Sequence, residues 1–219
     1  PAARPAPRAP AADRHPPPAW VVRQATIAVH SAPKMTPKII IAPAEEPITL
    51  AQAKLHLRVD GADEDAAIAA TVKATREVAE HLTGRALVTQ TLEIALDAFP
   101  AAEIKIPRPP LVSIVSVKYD DALGVEQTVA ANLYRVEDYK APGWLLPAYN
   151  TDWPSTLDAA NVVRVRYVAG YGAAAAVPDG IKAWMLMMIA QLYDVRGTHG
   201  AGSVMPHVDR MLDPYRVWD

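Results

Sequence analysis

The stretch IKAWMLMMIAQLY, residues 181–193, decides how the rest of the chain is read. Wound at the helical period, Ile181, Met185, Met188 and Leu192 line one side, and Trp184, Leu186, Met187 and Ile189 take most of the remainder. Only Lys182 and Gln191 interrupt it. A helix apolar almost all round is buried on more than one side, by its own domain, a second subunit or a membrane. The run falls well short of the roughly 20 residues that a bilayer span needs. It therefore predicts a central helix that packs its own core and also a neighbouring copy of the chain.

Working outward, Val177-Pro178-Asp179 launches this helix, with proline near the first turn, where its missing N–H costs nothing. Gly170-Tyr171-Gly172 ahead of it breaks a strand and lacks both the full dinucleotide-binding glycine pattern and a Walker lysine. Behind the helix, GTHGAG is a connector. The final stretch, HVDRMLDPYRVWD, places Val208, Met211 and Leu212 on one face of a short amphipathic helix and leaves Tyr215, Val217 and Trp218 on an open tail. Aromatic residues in such a place read as an anchor for a partner.

Ordered structure is expected from Pro47. Thr49 with Gln52 has capping-box spacing, so residues 50–57 read as a helix with Leu50, Ala53, Leu55 and Leu57 in apolar contact. Asp60-Gly61 ends it. Asp63 is the expected cap of a longer helix carrying Ile68, Val72, Thr75, Ala79 and Leu82 inward and stopping at Gly84. Lys73, Arg76, Glu77 and Glu80 fill its wet side. From Ala86 to Tyr171 the period changes to two: strands are expected at 88–99, 104–106, 111–119, 125–129, 133–136, 144–146 and 161–168. Asp120, Asp121 and Gly124 form a turn. Arg166 and Arg164 face outward with Glu93 as a cross-strand partner. Pro107-Arg108-Pro109-Pro110 reads as an edge or crossover, or alternatively as an extended ligand for a proline-binding module.

Composition narrows the function classes. A net charge of −2 gives no global basic signal for groove binding to nucleic acid. With no cysteine there is neither a disulfide framework nor a thiolate site. The six histidines are scattered without zinc spacing, and no serine sits in a nucleophile elbow. No catalytic residue, metal set or cofactor site emerges. Eleven of the twenty-one prolines precede Ile48, and residues 1–47 read as a disordered Pro/Ala/Arg-rich extension. Met35 opens MTPKIIIAPAEEPITL like a natural start, so residues 1–34 are expected to be a non-native extension.

The order of several pieces is similar to the head–tail connector proteins, also called adaptor or head-completion proteins, of long-tailed phages and gene transfer agents. These pieces are EEPITLAQAKLHLRVD (45–60), the block at 63–91 with Thr83-Gly84-Arg85, IPRPPLVSIVSVKYDD (106–121), Trp153-Pro154, VRYVAGYG (165–172), VPDGIKAWMLMMIAQLYDVR (177–196) and DRMLDPYR (209–216). The resemblance implies an α+β chain: a helical bundle of two long and two short helices with an inserted antiparallel β-rich module. Its parts are then a helical segment at 48–85, the β-rich insertion at 86–172, the central helix at 173–198, and a linker and arm at 199–219.

The resemblance further implies a structural virion protein, not an enzyme, made in the bacterial host cytoplasm and placed at the virion neck. It would form a ring, twelve-fold in the family, below the portal, pass double-stranded DNA through its lumen without sequence-specific binding, and seat the next neck, stopper or tail-completion protein. No cofactor and no membrane are implied. Portal docking carries over to Val208, Met211, Leu212, Tyr215 and Trp218. Subunit contacts carry over to the two long helices, at Arg76, Glu80, Trp184, Met187 and Gln191. Without residues 1–47 the chain holds sixteen basic and twenty-one acidic residues, a formal −5, and a repelling lumen would let DNA slide. Two other readings stay open: a monomeric β-rich protein-binding module, and a hydrolase with a pocketed carboxylate or histidine of shifted pKa.

Overall fold

A computed structural model describes residues 35–101, 103–194 and 206–218. Expectations for residues 1–34 and for the connector at 197–202 concern residues outside these. The first element, β1 (Lys38–Ile41), lies inside the stretch expected to be disordered. It is ordered by backbone pairing, with Lys38 opposite Glu93 and Ile39 opposite Leu92, while Ile39 and Ile41 keep half or more of their surface in water. A strand held at a sheet edge by its ladder needs little burial of its own, which is why hydrophobic patterning missed it.

Helix α1 (Leu50–Leu57) starts on the expected capping box: Thr49 Oγ1 accepts from the Gln52 amide at 3.2 Å, and Gln52 Oε1 accepts from the Thr49 amide at 2.9 Å. Leu55 is not in apolar contact as expected, being 82 % exposed. Helix α2 (Asp65–Thr83) stops at Gly84, whose φ of +70° only glycine adopts without strain. Its cap residue is Glu64 and not Asp63, and the carboxylates are used differently: Tyr193 donates to Glu64, and Lys54 binds Asp65.

The β region follows as β2 (Gln90–Leu96), β3 (Ile104–Ile106), β4 (Leu111–Asp120), β5 (Glu126–Thr128), β6 (Tyr134–Glu137), β7 (Gly143–Pro147) and β8 (Val163–Ala169). Five strands form one antiparallel sheet in the order β1-β2-β8-β4-β5, and three form a second in the order β3-β7-β6. Leu92, Ile94, Val117, Val165 and Tyr167 from the first share a core with Ile104, Ile106 and Leu145 from the second. At its margin Phe99 stacks on Trp153 at 4.8 Å. The proline run is a crossover inside the fold: its carbonyls accept from the Tyr167 hydroxyl, the Ala86 amide and the Gly170 amide. On the other face Arg166 meets Glu93 at 2.8 Å, in the register that alternation predicts.

Helix α3 (Asp179–Asp194) completes a second core with α1 and α2. Ile181, Trp184, Met185 and Ile189 are fully buried in their own chain, Met187 and Met188 are half-buried, and Leu192 is exposed. The last element, α4 (Pro206–Asp209), runs into a 3-10 turn, Arg210–Tyr215. Mixed helices with two antiparallel sheets make the chain α+β.

Candidate interaction surface

The terminal segment is not an open tail. Leu212 is fully buried and Val208 nearly so, both in the helical core, and the Trp184 indole donates to Asp209 at 3.2 Å. The Arg85 guanidinium donates to the Tyr215 carbonyl, and the Val217 amide to the Thr83 carbonyl at 2.9 Å. Gly180 makes room for the tyrosine ring: a Cβ there would sit 2.6 Å from the Tyr215 hydroxyl. Amphipathic spacing put Val208 and Leu212 on one face correctly, but it does not reveal that the chain's own groove beside Trp184 receives that face. Of the five residues expected to dock a portal, Val208 and Leu212 are interior, Tyr215 is half-buried, and Met211 and Trp218 remain available, Trp218 at 73 % exposure.

The expected subunit-contact residues divide in the same way. Trp184 is enclosed. Arg76 and Glu80, read as wet, form a buried network: Arg76 donates to Glu46 at 2.8 Å and to Glu80 at 3.0 Å. Glu80 also accepts from the Leu87 amide at 3.0 Å and from Gln90 at 2.8 Å. These bonds fix the end of α2 to the start of β2 and leave neither side chain facing a neighbour. The reason is compensation: charges stay inside a protein only when paired and hydrogen-bonded, and composition alone cannot reveal the pairing. Met187 and Gln191, four residues apart on α3, are half-buried and keep part of their surface exposed.

Other exposed apolar groups gather on loops and edges. Leu123, Tyr139 and Tyr149 are each about nine-tenths exposed or more, and sequence reasoning passed over all three. Charge on the first sheet is paired: Arg164 binds Asp120 at 2.7 Å and Glu126 at 2.9 Å, and Lys118 binds Glu126 at 2.7 Å. The Asp120 hydrogen bond holds the Arg164 guanidinium above its ordinary pKa, and Lys118 holds Glu126 below its own. Burial raises the Tyr171 hydroxyl against the opposing pull of Arg85, which lies 6.0 Å over its ring. Among the described residues no three histidines or carboxylates gather to hold a metal ion, and none of the helices is long and apolar enough to cross a membrane.

No protein-family model matches the chain, and neither does any curated protein. Solved structures do match. A chain in the neck of an empty gene transfer agent (GTA) particle, computed with C6 symmetry, superposes with a TM-score of 0.71 at 23 % identity, over 84 % of this chain and 97 % of that one. A chain in the virion of a native GTA particle gives 0.71 at 24 % identity, and one in the neck of a native particle computed with C12 symmetry gives 0.70 at 23 %, each with the same coverage. The likeness extends over nearly the whole of the matched chains, and what it establishes is a shared fold.

Proposed function

We propose that this chain is a structural component of the neck of a phage-like or gene-transfer-agent particle, acting as a head–tail connector. The observation that carries the reading is the match to GTA particle chains over 97 % of their length. The six-fold and twelve-fold symmetry of the neck particles to which it is similar supports self-association in a ring. In this reading the ring lies below the portal, and copies meet over the partly exposed side of α3 at Met187 and Gln191. Met211 and Trp218 make the first contact with the portal, while Val208, Leu212 and Tyr215 hold the terminal segment in place. The formal −5 beyond residue 47 supports a lumen that repels the DNA passing through it.

Electron microscopy of the purified protein mixed with the portal of the same element tests this. A ring capping the portal is expected. A chain that neither binds the portal nor forms a ring on it overturns the reading.

A further inference from the structure

Arg108 occupies a backbone position that its side chain does not suit. Its φ is +61°, in the left-handed region where a Cβ is crowded and glycine is at ease. Pro109 follows directly and restricts the residue before it further. The surrounding chain holds the arginine there. The Pro107 carbonyl accepts from the Tyr167 hydroxyl at 2.9 Å, the Pro109 carbonyl from the Ala86 amide at 3.2 Å, and the Pro110 carbonyl from the Gly170 amide at 2.9 Å. Three fixed carbonyls within four residues keep the loop from relaxing, so the strain is imposed by the fold and the side chain is carried on a rigid mount.

Nothing inside the chain uses that guanidinium. Arg76, Arg164 and Arg166 each meet a carboxylate at 2.7 or 2.8 Å. Arg108 is half-buried, yet among the described residues it makes no hydrogen bond and no ion pair. Its charge merely opposes the rise that burial gives the Tyr167 pKa. Glycine would meet the turn with less strain, so what an arginine adds here lies outside the fold: a fork of donors, partly withdrawn from water, aimed at an anion.

The position of the loop points to the anion's source. Residues 83–86 run between the proline loop, which binds the Ala86 amide, and the terminal segment, whose Val217 amide donates to the Thr83 carbonyl at 2.9 Å. Three residues span at most about 10 Å, whereas a standard interface of ~800 Å² per partner is roughly 30 Å across. A partner that meets Trp218 therefore also reaches Arg108. Phosphates of DNA fit less well, because the neighbouring cation, Arg85, is engaged by the Tyr215 carbonyl and the Tyr171 ring, and the chain beyond residue 47 is formally −5.

We propose that Arg108 takes a carboxylate of the portal, beside the contact made by Trp218. The inference rests on the portal reading above and deepens it by naming the chemistry of the surface that docks. Arg108→Gly and Arg108→Lys are compared with the unaltered chain in thermal unfolding and in co-sedimentation with the purified portal of the same element. Arg108→Gly relieves the backbone, so its Tm is expected to be unchanged or raised by up to about 4 °C. Its portal binding is expected to fall at least tenfold, with Arg108→Lys in between because an ammonium cannot reproduce the planar fork. A lowered Tm for Arg108→Gly makes the arginine a structural brace and overturns the proposal, as does portal binding equal to that of the unaltered chain. Retention of a short DNA duplex that is lost in Arg108→Gly while portal binding persists overturns it in favour of phosphate. If the unaltered chain itself leaves the portal in solution unbound, the portal reading falls as well; if it binds and Arg108→Gly binds equally, this contact alone falls.

Discussion

The Trp184 indole N–H and the Asp209 carboxylate are hydrogen-bonded at 3.2 Å, tying the middle of α3 to the terminal segment. Asp209→Ala leaves a buried donor unpaired and is expected to cost about 1–3 kcal/mol. Leu212→Ala, which empties a fully buried site, is expected to cost about 2–5 kcal/mol. Urea denaturation measures both, and amide exchange should show the loss of protection concentrated in residues 206–217.

Trp218→Ala should behave in the opposite way. Its side chain is largely in water, so stability should change by no more than about 0.5 kcal/mol. Portal binding, followed by co-sedimentation, should weaken at least tenfold if Trp218 makes the docking contact.

Glu80 accepts from Arg76, Leu87 and Gln90 in the interior. Glu80→Ala takes the one buried carboxylate from a buried guanidinium, which keeps only Glu46 and Glu77 toward the surface, and the expected loss is ~3 kcal/mol. Glu80→Gln, which retains acceptor geometry, should lose less. Chemical denaturation of the two variants side by side checks the order.

Hydrogen bonds from Gln127, then from the Val125 and Leu123 amides, hold the Asp121 carboxyl below its ordinary pKa of 3.8. A depressed acid stabilises the folded turn fully above its unfolded pKa and loses that contribution as pH falls through the folded value. The Leu123 and Val125 amide chemical shifts should therefore stay constant from neutral pH down to the ordinary carboxylate range and move only below it. Asp121→Asn should abolish that low-pH transition.

Gly170→Ala should be among the most damaging single changes. With φ at +132°, an added Cβ would lie 2.6 Å from the Thr89 nitrogen and from the Val88 carbonyl atoms. Backbone cannot yield as a side-chain tip can, so a loss of about 3 kcal/mol or more is expected, read as a lowered Tm.

Elements that carry their own local chemistry were legible in the sequence. The Thr49–Gln52 box, the Gly84 stop and the alternation of Leu92 and Ile94 each act within a few residues, and the structure shows all three. What escaped depended on partners distant in sequence. β1 is ordered by a strand some fifty residues on, Arg76 and Glu80 are interior because Glu46 and Gln90 meet them there, and Leu212 is buried because Trp184 leaves it a groove. The candidate surface was the least legible part. Leu123 gives no periodic signal, and its exposure follows from a turn whose rigidity comes from one aspartate.

The β region leaves the helices just before Thr89 and returns at Gly170, and the two crossings are stitched to each other: the Thr89 amide donates to the Gly172 carbonyl at 2.9 Å, and the Tyr171 amide to the Leu87 carbonyl at 3.1 Å. Outgoing and incoming strands therefore share one weld. A force pulling on the sheets reaches the helices through both covalent crossings at once, and these bonds keep the two crossings in register. Neither crossing can shift without the other, so the sheets meet the helices at one fixed join.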